Sequence, residues 1–378
     1  MNVTHNDPSP LPALTLVDKV IESKYQILEE LGSGSFGYLF LGQSLEDNSF
    51  VAIKALCKSG LNPSQLELQQ LEVSIQTSLD HSHLLALHET CEDQDHLFMI
   101  MDLCDQGDLF DYRMHNKLHQ DQVVSVFVQI LDAVDYMHKH HIYHRDLKLE
   151  NILLATSDEH DDDPFYLDVK VGDFGLATRE RFHQESGCGS VAYLAPEHFN
   201  DINPMMDAAA SDVWSLGILL IALLFGRQPW QEANPQSDAT FQAFQRNPRI
   251  LKQDLFPSLS MATYRFLISV LVQHPSDRPV DIEELKQQFL GIDHLLIRSD
   301  DDDDENETWP VAIPTTGVVP KAYDLKDSAI FSCNTDESWS DLVDEEEALL
   351  IEQCSKSLAL DKEEQDIFVH EEELWWLQ

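Results

Sequence analysis

The chain has 378 residues, enough for one large or two ordinary domains, and its 43% hydrophobic content places most of it in the globular class. Its 68 acidic against 24 basic residues give a formal charge of −44. That balance argues against a general nucleic-acid binder or an anionic-membrane binder, since both partners are polyanions.

Residues 1–23 read as a polar, Pro-containing, disordered lead, and "MNVTHNDPSP" lacks the basic-then-apolar pattern of a signal peptide. From residue 24 to about 103, short β-rich runs such as "YLFLG" and "FVAIKAL" flank one helical stretch between 63 and 79. That mix predicts a small antiparallel sheet with a helix packed on it. From about 104 to 290, helix-period patterns dominate, as in "VVSVFVQILDAVDYMHKHH". The predicted class is therefore α+β, with a β-rich small lobe joined to an α-rich large lobe near 102–106. The longest apolar run, "VWSLGILLIALLFG" at 213–226, is too short to span a bilayer comfortably and suits a buried core helix.

Two acidic segments interrupt this pattern. "SDEHDDD" (157–163) reads as an insert in a loop or hairpin, and "SDDDDDENE" (299–307) marks a boundary. Residues 299–378 carry 24 acids against 4 Lys, about half of the net charge, and read as a mostly disordered tail. Within it, "SDLVDEEEALLIE" and "EEELWWLQ" set Leu342, Leu349, Leu350 and the pair Trp375–Trp376 among the acids. Such a mixture fits a docking motif or an autoinhibitory segment as well as it fits a solubilising spacer. Cys57, Cys91, Cys104, Cys188, Cys333 and Cys354 form no CxxC pair and no metal-ligand spacing. They read as reduced thiols of a cytosolic or nuclear protein.

Several segments carry chemistry. "LGSGSFGYLFLG" supplies Gly32, Gly34 and Gly37 between two strand-like runs, where the backbone can approach phosphates closely. It is no dinucleotide fingerprint, because a strand follows where that fold needs a helix. "VAIK" places Lys54 on a strand, and "LEVSIQTSLDH" puts Glu72 on the helix, able to pair with it. "YHRDLKLENILL" combines Asp146, Lys148 and Asn151: a proton acceptor, a cation and an amide oxygen for a hard metal. "VGDFGLA" offers Asp173, a carboxylate suited to Mg²⁺. The four His of "HKHHIYH" invite a metal reading, but a helix end explains them better.

In this order and spacing the motifs resemble those of the eukaryotic serine/threonine protein kinases, over residues 25–290. The resemblance implies a bilobal fold using ATP and Mg²⁺. The glycine loop would cover the phosphates, Lys54 held by Glu72 would contact them, and Asn151 and Asp173 would bind magnesium. Asp146 would accept the substrate proton, Lys148 would stabilise the transferring phosphate, and Ser190 of "CGSVAYLAPE" would bridge the two. Leu31, Leu39, Ala52 and Leu153 would wall the adenine pocket, with Met101 at its back. The backbone of Asp102 and Cys104 would meet the base, and Asp108 would reach the ribose. Glu197 would pair with Arg278 of "HPSDRP", and Asp212 of "SDVWSLG" would anchor the catalytic loop. By position Ser186 is the candidate for phosphorylation and docking on Arg145. Asp108 and Glu150 match acids that pair with Arg ahead of the target hydroxyl in basophilic members, although Ala222 stands at a third such position. The motifs look like those of calmodulin-dependent, AMP-activated and certain fungal regulatory kinases. A pseudokinase scaffold is the alternative, and the intact Lys54, Asp146, Asn151 and Asp173 argue against it.

Overall fold

The computed structural model describes residues 16–34, 37–156, 166–184, 188–199 and 205–297. A six-stranded antiparallel sheet forms the small lobe: β1 (Val20–Ile21), β2 (Tyr25–Gly34), β3 (Gly37–Ser44), β4 (Phe50–Cys57), β5 (Leu87–Glu92) and β6 (His96–Met101). Its spatial order is β1-β2-β3-β4-β6-β5. The side-chain period of two sorts β4 cleanly. Val51, Ile53 and Ala55 pack with Ile27, Phe40, Phe98 and Ile100 on one face. Ala52 and Leu56 pack with Met99 and Met101 on the other, and the same alternation turns Lys54 to that second face.

Helix α1 (Pro63–Thr77) lies against this sheet. Its start is fixed reciprocally: Asn62 Oδ1 accepts from the Gln65 amide at 2.9 Å and Gln65 Oε1 accepts from the Asn62 amide at 3.0 Å. Pro63 at the first turn costs no hydrogen bond. Glu72 and Gln76, one turn apart, share the buried face.

The large lobe contains α2 (Leu109–His115), α3 (Gln120–Lys139), α4 (Ala208–Phe225), α5 (Ala239–Arg246), α6 (Met261–Val270) and α7 (Ile282–Leu290). Two small antiparallel pairs join them: β7 (Ile152–Ala155) with β8 (Asp168–Val171), and β9 (Phe182–His183) with β10 (Met206–Asp207). Helix α4 is the axis of the core, buried from Ala208 through Leu224. By length and composition it would pass for a membrane span, but 94% of it is enclosed by the rest of the fold, as expected of a core helix. Gly226, at φ 67°, ends it in the left-handed conformation.

The fold extends beyond both expected boundaries. Leu16 and Ile21 are each only 4% exposed within the small-lobe core, and Lys19 pairs with Asp93, so the chain enters the sheet upstream of residue 24. At the other end Leu295 is fully buried, and its carbonyl accepts from the Ser260 amide and the Thr263 hydroxyl. Cys57, Cys91 and Cys104 are free thiols, and Cys333 and Cys354 lie outside the described residues. The acidic insert is flanked by the β7–β8 hairpin, as expected, but residues 157–163, Ser186 and 299–378 themselves lie outside the described residues.

Candidate active site

The β7–β8 hairpin brings distant residues together. Asp146, Lys148 and Asn151 immediately precede β7, while Asp173 follows the end of β8. The Gly172 amide donates to the Asn151 carbonyl at 2.9 Å, which sets the two segments side by side. Below them, buried Asp212 on α4 accepts from the backbone amides of His144 (2.9 Å) and Arg145 (2.8 Å), and from the His138 ring at 2.8 Å. Burial opposes its ionisation, but the His138 contact and these amides hold its carboxyl below the usual range. Arg145 and Asp173 adopt φ 69° and 58°, left-handed values that side-chain-bearing residues seldom take and that mark backbone held under strain.

The Asp146 carboxylate is fixed from three sides. Its Oδ1 accepts from the Ser190 amide at 2.7 Å, and its Oδ2 accepts from Asn151 Nδ2 at 3.1 Å. Lys148 Nζ lies 3.1 Å from the same Oδ2 and donates to Ser190 Oγ at 2.9 Å. Ser190 therefore bridges Asp146 and Lys148, as the motif resemblance implied. Gly189 before it, at φ 115°, has no room for a side chain: a Cβ would stand 2.7 Å from the Arg145 carbonyl.

On the small-lobe side, Lys54 Nζ bonds Glu72 Oε1 at 2.7 Å and lies 3.6 Å from Asp173 Oδ1. Burial works against the Asp173 carboxylate, yet Lys54 and Lys148 outweigh it and keep the group below the usual carboxylate range. Phe174 is buried against the His144 ring, at 5.6 Å between centroids. His144 in turn bonds the Gly172 carbonyl at 3.0 Å. Asp173 is thus held facing Lys54.

Between the lobes lies a cleft of about 310 Å³. Of the expected residues, Gly32, Gly37, Leu39, Lys54, Glu72, Met101, Asn151, Leu153 and Asp173 line it. Leu31, on β2 beside Gly32, is 46% exposed. Ala52 and Cys104 sit in the apolar cluster behind Leu39 and Leu153. The Asp102 amide is taken by the Ala86 carbonyl at 3.1 Å, leaving its own carbonyl for a ligand. Asp108 is spent partly on capping α2, its Oδ1 accepting from the Asp111 amide at 2.8 Å. Gly34 faces Gly37 across the β2–β3 ladder. Gly37 is required there, since a Cβ would meet the Ala55 carbonyl at 2.2 Å.

Gln76, Leu85, Tyr38 and Gly172 also line the cleft and were not expected. Gln76 matters most. It is 2% exposed, and its Nε2 donates to the Leu85 carbonyl at 3.1 Å and meets Met101 Sδ at 3.4 Å. Its place four residues after Glu72, on the same helical face, was the available signal.

A comparison with known families decides the kinship: the protein kinase domain matches residues 25–290, more than two-thirds of the chain. The chain belongs to the protein kinase family. It is 34% identical over 260 residues to the negative regulator of sexual conjugation and meiosis of Schizosaccharomyces pombe, covering 62% of this chain and 54% of that protein. It is 31% identical over 305 residues to the same organism's serine/threonine-protein kinase ksp1 (77% and 61%), and 32% identical over 265 residues to its Aurora kinase (69% and 69%). The chain spans a little over half the length of the first two relatives.

Within this kinase domain, the scaffold contacts implied by the motifs are present. Arg278 Nη1 and Nη2 each donate to Glu197 at 2.7 Å, and its remaining donors reach the carbonyls of Val272, Ala210 and Gln273. Glu150 also lines the cleft, on its large-lobe side. Burial raises the pKa of both Asp108 and Glu150, the Asp146 and Asp108 carboxylates add to the rise at Glu150, and Glu150 Oε2 is buried without a hydrogen-bond partner.

The site fits a magnesium–nucleotide complex. Asn151 commits its amide nitrogen to Asp146, so its oxygen is the atom left for a cation beside Asp173. Two oxygen donors suit Mg²⁺, which keeps waters and takes its other ligands from phosphates instead of a full protein cage. Among the described residues no cluster of three or more His, Cys, Asp or Glu offers such a cage.

Proposed function

We propose that this kinase domain transfers the γ-phosphate of ATP to serine or threonine hydroxyls of protein substrates, with a preference for a basic residue ahead of the target. The observation that carries the reading is simultaneity. Lys54 is paired with Glu72 at 2.7 Å and faces Asp173 at 3.6 Å, while Asp146, Lys148, Asn151 and Ser190 form one bonded set. Phosphoryl transfer depends on positioning and electrostatics far more than on covalent chemistry, so partial assembly would achieve little.

The geometry supports the roles that the motif resemblance implied. Lys54, steadied by Glu72, neutralises phosphate oxygens at the roof of the cleft. Asp146 has its carboxylate oriented by the Ser190 amide and Asn151, ready to accept the proton of an incoming hydroxyl. Lys148, bonded to Ser190, presents its charge beside that oxygen. Bound magnesium, held by Asn151 and Asp173, would neutralise the charge that develops on the phosphates. The Lys at position 148 within "HRDLKLEN" supports hydroxyls of Ser and Thr over Tyr.

Glu150 supports the basic preference. A buried carboxylate oxygen without a partner carries a desolvation cost that an arginine fork would offset. The test is a degenerate peptide library with labelled ATP and magnesium. Label on Ser and Thr, enriched for Arg before the target and losing that enrichment in Glu150→Gln, is the expected result. Label on Tyr alone, or a flat response to Arg, overturns the respective part. We also propose that residues 299–378 dock a partner or fold back as a brake. Deleting them is then expected to change partner recovery or activity, and an indifferent deletion removes the idea.

A further inference from the structure

A peptide that reaches Asp146 must lie along the segment from Asp173 to Glu197, which touches Asp146 through Ser190, and the described part of it is tied down at defined points. Tyr143 and Thr178 exchange both backbone hydrogen bonds, each 2.9 Å. Further along, β9 pairs with β10, matching His183 to Met206 and Phe182 to Asp207, and the Ala208 amide donates to the Arg181 carbonyl at 2.8 Å. The side chains reinforce this pairing. Arg181 Nε and Nη2 donate to Asp207 Oδ1 and Oδ2, both at 3.0 Å, in a two-pronged fork.

Asp207 has a second task. Its Oδ1 accepts from the amides of Ala209 (3.2 Å) and Ala210 (3.3 Å), capping α4. Five residues after Asp207, Asp212 on the same helix holds the backbone just before Asp146. One carboxylate therefore links the segment a peptide must lie against to the helix that fixes the catalytic loop. The Arg181 guanidinium also lies over the Phe182 ring at 5.2 Å, which sets its orientation.

We propose that Arg181 is a positioning residue: its fork on Asp207 pins the activation segment to the start of α4 and keeps the peptide-binding face assembled beside Asp146. Both charges belong to the chain itself, so this tie needs no added phosphate. The proposal rests on the phosphotransfer reading for its kinetic consequence, though not for its structural one.

The experiment compares wild type with Arg181→Gln, Arg181→Lys and Asp207→Asn, the last of which keeps a capping side chain. Arg181→Gln is expected to lower peptide kcat/KM about tenfold while ATP affinity stays within twofold, and to speed proteolytic cleavage between 173 and 197. Arg181→Lys should fall between, retaining the charge without the fork. Asp207→Asn should match Arg181→Gln, and the double variant should be no worse than either single one. Wild-type peptide kinetics and cleavage rates in Arg181→Gln overturn the proposal, as do strictly additive losses or a parallel fall in ATP affinity. Should wild type transfer no phosphate, the phosphotransfer reading fails; cleavage rates, which need no turnover, still decide the tie.

Discussion

Gln76 shows how one side chain links stability to the site. It shares a face of α1 with Glu72 and fastens that helix to the Leu85 carbonyl, so it helps set where Glu72 meets Lys54. Gln76→Ala removes that bond and leaves a void, and is expected to cost about 1–3 kcal/mol in urea unfolding. It should also raise the KM for ATP; an unchanged KM would detach Gln76 from the placement of Glu72. Glu150 gives a pH test. Its pKa is raised, first by burial, so its charge is lost earlier on acidification than that of an ordinary glutamate. Selectivity for Arg-containing peptides should therefore weaken as the pH falls, and Glu150→Gln should show low selectivity at every pH. The motifs made Lys54, Glu72, Asp146, Lys148, Asn151 and Asp173 legible because phosphate chemistry restricts which residue types serve. Gln76 was not legible, since a polar residue at a helical position reads as surface until burial is known.

At the scale of elements, two features hold the large lobe together. Arg278 satisfies its guanidinium with Glu197 and three carbonyls, and stacks on the Trp214 ring at 5.0 Å. Replacing it with Leu leaves Glu197 charged and buried, and is expected to destabilise by about 3–5 kcal/mol. A melting temperature within two degrees of wild type would mean that the pair is better solvated than its burial indicates. His198, hydrogen-bonded to Ser211 and deeply buried, has its pKa lowered to about 4, chiefly by burial. The unfolded chain then binds a proton that the folded chain refuses between about pH 6.5 and pH 4. Stability from this group is whole above pH 6.5 and falls on acidification, by at most about 1.4 kcal/mol per pH unit. His198→Asn should unfold with a shallower acid dependence, and an identical slope would place the titration elsewhere. Helix α4 and the alternation of β4 were readable from apolar pattern alone. Strand β1 was not: two residues long, and set beside Asp18 and Lys19, it offers too short a run for its period to register.

For the whole molecule, two lobes close on a cleft lined from both: Lys54 and Glu72 above, Asn151 and Asp173 below, with Asp146 bonded to Asn151. Such a division makes the geometry of the lobes part of the chemistry. It also explains why sequence order reveals the parts but not their spacing. The Lys54–Asp173 approach of 3.6 Å depends on the turn of Phe174 into the core, which no local pattern encodes. The central claim is that this assembly transfers phosphate directly from ATP to a hydroxyl whose proton Asp146 accepts. Single-turnover transfer from labelled ATP to a serine peptide, with magnesium present and nucleotide affinity measured alongside, tests it directly. Wild type should phosphorylate the peptide, and Asp146→Asn should bind nucleotide equally while transferring at least about a hundredfold more slowly. Equal transfer by the two proteins, or none by wild type, would refute the assignment.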